Sequence, residues 1–546
     1  MKEKTGEHEK DYTDLGRGSF WLFIGLFLGR FLGIVFTMVM TRIFPASEIG
    51  KYNLALSTIA LLTVFTDFGL TNTIQTYVSN YYGKESYKKI RKLTMLMMAI
   101  GMAASIIVFG FIYVFTDIVA GFANNGQIIP VLRVLAVYII LNSLFSLCQS
   151  FIMCFRKAKE TALSQSVQII SRIALIPVAL QFFGSSAISL TMLFLLSFGL
   201  GALLILYYFV KTYRQLPESK ESADYRSVGR EALPFAVTVM GAGIVNTIFS
   251  NSDRVLLSRF LPAESATTMI AIYSIALGFG SFLQIFSSAI GGMFVPVVAN
   301  IHGRDEQDFS KINRLTDTST KWSLVLTGPL FIFLLLFPSD ILGILYSDVF
   351  ASGGQTLALI TLGFFFFTIG YSQKNVFPSV KRADISFNMM VLGLIINVIM
   401  NIVLIPQWGI TGAAFSFMVF YLVTLIIAMI YSKKLFGFKF GKWLAPYLAI
   451  FILLFAVIYP IRQTAIDTIT LPLSKMISRG MTTEKIANVL GLGALFLILS
   501  GGYLVAVFHL KLLNKNDMEL LVAFMKKSRM PGSMISLVGR LPHSED

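Results

Sequence analysis

Charged residues are scarce in this chain. Only 14% of its 546 residues are Asp, Glu, Lys or Arg, whereas 55% are hydrophobic and the mean hydropathy is +0.73. A soluble protein of this length needs far more polar surface, so the composition predicts an integral membrane protein. No cleavable signal peptide is expected, because residues 1–18 are polar and the apolar run that follows is too long for one.

Cysteine and histidine are almost absent. Cys148 and Cys154 lie six residues apart in one apolar run, which predicts core residues on different helix faces rather than a disulfide or metal pair. Four histidines occur: His8, His302, His509 and His543. They lack the spacing of metal ligands, and no G-x-x-x-x-G-K-[ST] phosphate-binding loop is present. We therefore expect no metal, no cofactor and no catalytic residues.

Acidic residues are outnumbered, with 29 Asp and Glu against 45 Lys and Arg and a net charge of +16. The basic residues concentrate in short loops between apolar runs, so we expect no nucleic-acid binding. The basic loops are YYGKESYKKIRK, FRKAKE, KTYRQLPESKESADYRSVGR, HGRDEQDFSKINR, SVKRAD and SKKLFGFKFGK. The loops TDIVAGFANNGQ, FGSSA, YSDVFASGG and PQWG, which alternate with them, contain no Lys or Arg. The positive-inside rule then places both termini in the cytoplasm of a multi-pass cell-membrane protein.

Long apolar runs predict about fourteen membrane-spanning helices. They lie near residues 19–41, 52–77, 93–116, 128–153, 161–183, 187–210, 232–252, 268–299, 322–346, 354–377, 385–405, 410–431, 443–463 and 485–510.

Three pairs of segments recur in the same order, which indicates an internal repeat of six spans. The pairs are MTRIFPASE at 40–48 and LSRFLPAES at 257–265, YYGKESYKKIRKLT at 81–94 and IHGRDEQDFSKINRLT at 301–316, and QIISRIALIP at 168–177 and NVIMNIVLIP at 397–406. Because six is even, the two copies have the same orientation, which predicts two pseudo-symmetric lobes with a central cavity between them. The predicted parts are a cytoplasmic N-terminal tail 1–18, an N-terminal lobe 19–210, a cytoplasmic linker 211–230, a C-terminal lobe 231–431, two extra helices 443–510 and a cytoplasmic amphipathic tail 511–546.

Two segments, NIVLIPQWGITGAAFSF at 401–417 and TDFGL at 66–70, together with the repeat of six spans plus two, resemble one known family. The chain resembles the Wzx-like polysaccharide-transporter branch of the multidrug/oligosaccharidyl-lipid/polysaccharide flippase superfamily. This resemblance implies an all-α, V-shaped transporter that moves lipid-linked oligosaccharides from the inner to the outer leaflet by alternating access. The implied partners are a saccharide on polyprenyl or dolichyl phosphate or pyrophosphate, membrane lipids and glycan-assembly enzymes, and a monomer is expected.

Three alternatives are weighed against this function. Lipid II flippases resemble this architecture but typically carry an Arg-Asp pair in span one, where Arg30 is here followed by Phe31. Multidrug antiporters often have an acidic cation site in span one, and residues 19–41 contain no Asp or Glu. A membrane glycosyltransferase would need a large catalytic loop, whereas the longest loops here have about twenty residues. We therefore expect a transporter, not an enzyme.

Two arginines near the middle of predicted spans are the first candidates for the substrate site. Arg30 lies in span one and Arg172 in span five, and intramembrane charge is functional by default. A planar guanidinium can donate two hydrogen bonds to one phosphate group. Gln168 lies one helical turn from Arg172 on the same face. The alternative is that each arginine pairs with a carboxylate or with backbone carbonyls.

Amides and acids complete the candidate set. Asn397 and Asn401 align with Gln168 and Arg172 in the repeat, and with Asn246 they suit sugar hydroxyls or, alternatively, hold helices together. Two acidic residues lie inside or near spans: Asp67 and Asp253. The first could bind a coupling ion or, as we favour, neutralise an arginine; the second, beside Arg254, is expected to form a local charge pair.

Overall fold

The computed structural model describes residues 29–218, 224–304, 309–476, 481–510 and 512–513. In these ranges the regular structure is helical and no β-strand occurs, which confirms the all-α prediction. The helices are α1 (29–43), α2 (Ala46–Leu62), α3 (Val64–Asp67), α4 (Leu70–Gly83), α5 (Tyr87–Val114), α6 (Thr116–Phe122), α7 (Ile129–Leu135), α8 (Val137–Cys154), α9 (Ala158–Ala174), α10 (Ile176–Phe183), α11 (Ala187–Arg214), α12 (Tyr225–Phe260), α13 (Ala263–Gly280), α14 (Leu283–Arg304), α15 (Ser310–Leu336), α16 (Pro338–Leu345), α17 (Asp348–Ala351), α18 (Gly354–Ser379), α19 (Ala383–Trp408), α20 (Ile410–Phe436), α21 (Leu444–Met476) and α22 (Met481–His509), with a 3₁₀ turn at Gly126–Ile128.

The long apolar helices agree with a chain that crosses a membrane many times. Eleven stretches of the described residues are long and apolar enough to span a bilayer, and two bent pairs raise the number to as many as 13. The bent pairs are α9–α10, at 49°, and α13–α14, at 45°. The predicted first span lies partly outside the described residues, with α1 as its described part. The predicted tails, 1–18 and most of 511–546, also lie outside them.

The second predicted span is broken into α2, α3 and α4, which the hydropathy pattern did not indicate. The break contains Phe68 and Gly69, whose φ angles of 43° and 72° are left-handed. A Cβ on Gly69 would lie 2.3 Å from the carbonyl oxygen of Ala236 on α12. Position 69 therefore requires glycine for two reasons, its backbone conformation and the close approach of α12. This glycine belongs to the TDFGL segment.

The sequence repeat has a counterpart in the backbone. Arg156 and Lys381 each lie in a basic loop, 12 and 16 residues before the aligned Gln168 and Asn397, and have φ angles of 58° and 62°. In each case a long helix, α9 or α19, begins two residues later. Non-glycine residues seldom adopt this conformation, so its recurrence supports two copies of one structural unit.

The described residues form two compact units that do not coincide with simple halves of the sequence. One comprises the described parts of Met1–Phe279 together with Met390–Ser416. The other comprises the described parts of Gly280–Met389 and Phe417–Asp546. Most of α19 therefore belongs with α12 and α13 in the first unit, which holds all the candidate site residues.

The two extra helices pack on α15 within the second unit. The Tyr503 hydroxyl, on α22, donates to the carbonyl oxygen of Leu324 at 3.0 Å. Gly328 leaves room for this ring, since a Cβ there would lie 2.3 Å from it. The ring also stacks on Phe451 of α21, with centroids 5.5 Å apart. The buried Tyr503 ring and the space at Gly328 thus determine how α21 and α22 pack against α15.

Candidate functional site

Arg172 lies in a cluster of aromatic side chains from four helices, α1, α2, α8 and α11. Its Nε donates to the Ser197 hydroxyl of α11 at 3.1 Å. Its guanidinium lies 4.7 Å from the ring centroid of Phe194 and 5.5 Å from that of Phe36 on α1. A guanidinium over aromatic faces is attracted by the ring quadrupole, most strongly where water is excluded. These contacts hold the plane of the guanidinium in place.

The charge of Arg172 is not neutralised by any carboxylate that the structure describes. The ionisable groups that interact electrostatically with it are the phenols of Tyr52 and Tyr138. Their rings pack against Phe194, with centroids 6.1 and 5.0 Å away. The bond to Ser197 uses one of the five N–H donors of the guanidinium, and the described residues supply no hydrogen-bond acceptor for the other four. The cluster therefore presents a cation with donors available to an anion.

Gln168 lies beside this cluster, one turn before Arg172 on α9. Its side chain is buried, and its Nε2 has no hydrogen-bond partner within the described ranges. Gly201 of α11 makes room for it, because a Cβ there would lie 2.2 Å from Gln168. A buried amide donor without an acceptor costs about 1–3 kcal/mol, which a ligand oxygen would recover.

Arg30, the other arginine proposed for the substrate site, does not lie on the helix face that contacts Arg172. Its side chain is exposed on α1, six residues before Phe36, and a six-residue step puts two side chains on different helix faces. α1 nevertheless runs beside α9, since a Cβ on Gly29 would lie 3.7 Å from Ile169. The structure therefore brings α1 and α9 together without putting Arg30 among the rings that surround Arg172.

A second polar cluster surrounds Asp253 of α12. Its two carboxylate oxygens accept hydrogen bonds from the Tyr273 hydroxyl at 2.5 Å and from Asn401 Nδ2 at 2.7 Å. Asn401 Nδ2 also donates to the Asn397 carbonyl oxygen at 3.3 Å. All four side chains are buried. The structure thus joins the two predicted asparagines to each other and to Asp253, which the sequence analysis had expected to pair with Arg254.

The expected charge pair between Asp253 and Arg254 is not a direct contact, although the two charges attract each other. Both residues are described and no ion pair joins them, because adjacent residues on a helix point in different directions. Arg254 Nε instead donates to the Ser274 hydroxyl at 2.9 Å, and one terminal nitrogen donates to the carbonyl oxygen of Ser250 at 3.0 Å. Asp253 therefore belongs to the interior of the helix bundle and not to a boundary charge pair.

Two atoms of the second cluster have no partner among the described side chains: Asn397 Nδ2 and Asn401 Oδ1. Carboxylate and amide oxygens are ligands for hard cations, but both oxygens of Asp253 already accept hydrogen bonds. No group of three His, Cys, Asp or Glu in the described ranges could hold a metal ion. What the cluster offers is one donor and one acceptor, buried and side by side.

Under the predicted repeat, the residues of the two clusters take corresponding positions once gaps are allowed between the matching segments. Their aligned pairs are Arg172 with Asn401, Phe36 with Asp253, and Tyr52, in KYNLA, with Tyr273, in IYSIA. Where the first copy carries a guanidinium on its fifth span, the second carries a carboxylate on its first span. The carboxylate of the second copy also has a cation, Arg254, next to it, which the guanidinium of the first copy does not mirror. An acid at a position that is aromatic in the other copy was the signal that could have identified Asp253.

The remaining candidates lie outside both clusters. Asn246 is exposed on α12. Asp67 is the last residue of α3, directly before the break in the second span, and its two oxygens accept from the backbone N–H of Thr71 at 3.3 Å and from the Thr71 hydroxyl at 3.1 Å. This geometry caps the first turn of α4. No arginine in the described residues pairs with Asp67, and its roles as charge partner or ion-coupling group stay predictions.

Solved structures with the same fold include two transporters. A lipid II flippase, MurJ, in an inward closed conformation matches with a TM-score of 0.62 and 17% identity, over 88% of this chain and 98% of that one. An inward-facing multidrug resistance transporter of the MATE family matches with a TM-score of 0.57 and 12% identity, over 73% of this chain and 94% of that one. These similarities establish the fold.

Two family matches, together with this fold, identify a multi-span transporter of the multidrug/oligosaccharidyl-lipid/polysaccharide superfamily. Residues 15–302 match the family described as polysaccharide biosynthesis protein, and residues 239–403 match the MatE family. Since the first match covers more than half of the chain, the protein belongs to the polysaccharide biosynthesis protein family. The resemblance noted from NIVLIPQWGITGAAFSF and TDFGL is thereby confirmed.

Archaeal proteins are among its relatives. The membrane protein MJ1068 of Methanocaldococcus jannaschii is 21% identical over 444 residues, which are 78% of this chain and 86% of the relative. A probable low-salt glycan biosynthesis flippase, Agl15 of Haloferax volcanii, is 22% identical over 427 residues, which are 78% of this chain and 85% of the relative.

Proposed function

We propose that this protein is a flippase that carries lipid-linked saccharides from the inner to the outer leaflet of the cell membrane, and that Arg172 binds the phosphate of the lipid carrier. The observation that carries the proposal is the state of Arg172: a guanidinium held by Ser197 and two aromatic rings, with no acidic partner in the described structure. Membership of the polysaccharide biosynthesis family and the name of Agl15 support the substrate class.

Phosphate suits this arrangement better than other anions. The guanidinium fork can donate two parallel hydrogen bonds to adjacent oxygens, and the aromatic rings exclude water that would weaken them. Gln168 Nε2, one turn away, adds a neutral donor for a phosphate or sugar oxygen. A charge within a membrane span is costly, and binding an anion offsets that cost during transport.

In this proposal, the uncharged amides of the second cluster bind the sugar part of the substrate. Asn397 and Asn401 offer an unused donor and an unused acceptor, a combination that one sugar hydroxyl satisfies. Arg30 and Asn246, both exposed on their helices, are proposed as further contacts for the head group. The protein is proposed to act as a monomer with both termini in the cytoplasm, beside the enzymes that assemble the glycan.

The membrane potential is a sufficient driving force for an anionic substrate. A cell interior is negative, so each negative charge moved outward gains about 2.3 kcal/mol per 100 mV. We therefore propose transport without a nucleotide, a cofactor or any chemical step on the substrate.

The test is the amount of lipid-linked saccharide in cells that lack the protein, complemented with wild type, Arg172→Lys or Arg172→Ala. We expect the precursor to accumulate without the protein, wild type to clear it, and Arg172→Ala to fail at normal membrane levels. Arg172→Lys keeps the charge but loses the fork, so it should restore transport only in part. Full transport by Arg172→Ala would overturn the role of Arg172, and no accumulation in its absence would overturn the substrate class.

A multidrug antiporter is the second candidate, because residues 239–403 match the MatE family. It predicts that loss of the protein sensitises cells to cationic drugs while the amount of lipid-linked saccharide is unchanged. Measuring both quantities in the same strain separates the two functions.

A further inference from the structure

A lysine in the second unit lies in a cavity of aromatic side chains. Lys374, on α18, lines a partly open cavity of about 20 Å³ between α18 and α20. The same face of α18 contributes Phe367 and Tyr371, and α20 contributes Phe420 and Tyr421. No candidate function assigned above involves these residues.

The ammonium of Lys374 has no partner. None of the described residues gives its Nζ an ion pair or a hydrogen bond, and the residue is only half-buried. The single hydrogen bond to Lys374 goes to its backbone, whose carbonyl oxygen accepts from the Ser386 hydroxyl at 3.0 Å. Its charged neighbour Arg382 is different, since two bonds of 3.1 Å join it to Asp384. Asp384 thus neutralises Arg382 in the loop, whereas no acidic residue in the described ranges neutralises Lys374.

The depth of Lys374 matches the head-group layer of one leaflet. It stands five residues before the end of α18, or about 8 Å along the helix from the basic loop that follows. α18 has 26 residues and is therefore about 39 Å long, against about 30 Å for the hydrocarbon core. The ammonium accordingly lies near the boundary on the side of the basic loops, which the positive-inside rule predicts to be cytoplasmic.

The wall of the cavity is rich in aromatic side chains and closely packed. The ring of Tyr371 fits against Gly291 of α14, where a Cβ would lie 2.2 Å from it. Phe367 packs 5.0 Å from Tyr371 and 5.3 Å from Tyr421, measured between ring centroids. A ligand of this cavity must satisfy one cation at the head-group level and several rings beside it.

We propose that Lys374 and the surrounding rings bind the phosphate of an amphiphilic lipid, with the ammonium on the phosphate and the rings against the first carbons of the chain. A prenyl phosphate carrier and a membrane phospholipid share this chemistry, and the experiment distinguishes them. The site belongs to the second unit, whereas Arg172 belongs to the first, and the proposal does not depend on the proposed transport function.

The test is lipid binding to the purified full-length protein, measured by native mass spectrometry with three probes: a polyprenyl phosphate, the uncharged polyprenol and phosphatidylglycerol. We expect wild type to prefer the phosphate over the polyprenol, and Lys374→Met to weaken phosphate binding by about tenfold, as loss of one charge-assisted hydrogen bond does. Lys374→Arg should restore it. The matched control is Lys433→Met, an exposed basic residue at the end of α20, which should bind as wild type does.

Each outcome decides one point. Weakening confined to polyprenyl phosphate supports a carrier site, and equal weakening of phosphatidylglycerol supports a phospholipid site. Wild-type binding by Lys374→Met, or equal binding of polyprenol and polyprenyl phosphate, would overturn the proposal. If Lys374→Met does not purify as a monodisperse protein, Lys374→Gln removes the charge while retaining polarity and takes its place.

Discussion

Asp253 and Asn401 are 148 residues apart in the chain and are joined by a hydrogen bond of 2.7 Å between Oδ1 and Nδ2. This bond links α12 to α19 inside the first unit and ties two of the repeat's counterpart positions together. A buried carboxylate in a membrane-spanning bundle is stable only with such partners, so the pair is a testable source of both stability and position.

The first prediction concerns this bond. Asn401→Ala should lower the free energy of unfolding by about 1–3 kcal/mol, because it leaves one oxygen of a buried carboxylate without a donor. Asp253→Ala removes the charge itself, so the double variant should be less destabilised than the sum of the single variants. Unfolding in detergent mixtures measures all three. Asn246→Ala, on an exposed position of α12, is the control and should stay within about 0.5 kcal/mol of wild type.

The second prediction concerns the serine that holds Arg172. Ser197→Ala removes the acceptor of the Nε bond, frees the guanidinium to turn, and should reduce clearance of lipid-linked saccharide about three- to tenfold at equal membrane levels. Ser185→Ala, an exposed serine before α11, should clear the precursor as wild type does. Wild-type clearance by Ser197→Ala would mean that this contact does not position the arginine for transport.

The third prediction concerns the break in the second span. Gly69→Ala places a Cβ 2.3 Å from the Ala236 oxygen at a φ of 72°, so backbone strain and overlap act together. We expect a clear loss of folded protein and a lower melting temperature, measured by a thermal shift assay in detergent. Gly83→Ala is the control, because its Cβ would meet nothing within 4 Å. Equal stability of the two variants would show that α12 does not pack against the break as described.

The fourth prediction separates two contributions of one tyrosine. Tyr503→Phe removes only the bond to the Leu324 carbonyl and should cost about 0.5–1.5 kcal/mol of unfolding free energy. Gly328→Ala forces the ring itself away from α15, so it should destabilise the protein more than Tyr503→Phe does. Detergent unfolding of the two variants, with the double variant as a third sample, measures the order. The opposite order would mean that the ring shifts without cost.

The sequence predicted those features that depend on neighbouring residues or on a repeating pattern along the chain. Helix-length apolar runs predicted the spans, and matching segments predicted a repeat of six spans, which stays a prediction. Arg172 and Asn401 were found because a polar side chain in an apolar run is conspicuous. Their surroundings were not predictable, since Phe36, Ser197 and Asp253 reach them from helices far away in sequence.

Two features were missed for other physical reasons. The break at Gly69 is invisible to hydropathy, because an interruption of a few residues hardly changes the average over a span. The sequence did not indicate a site at Lys374, because a lysine near a basic loop is usually solvated. Only the packing of α18 against α20 shows that it lines a cavity without an acidic partner among the described residues.

The bond between Asp253 and Asn401 also sets an order of events during synthesis. At about 5–20 residues per second, the ribosome makes the acid roughly 7 to 30 s before its amide partner. Until then α12 holds a carboxylate whose final donor has not been made, and the first unit lacks the segment Met390–Ser416 that completes it. The N-terminal part therefore stays incomplete in the bilayer until Met390–Ser416 is made, which happens after Gly280–Met389 and before Phe417–Asp546 of the other unit.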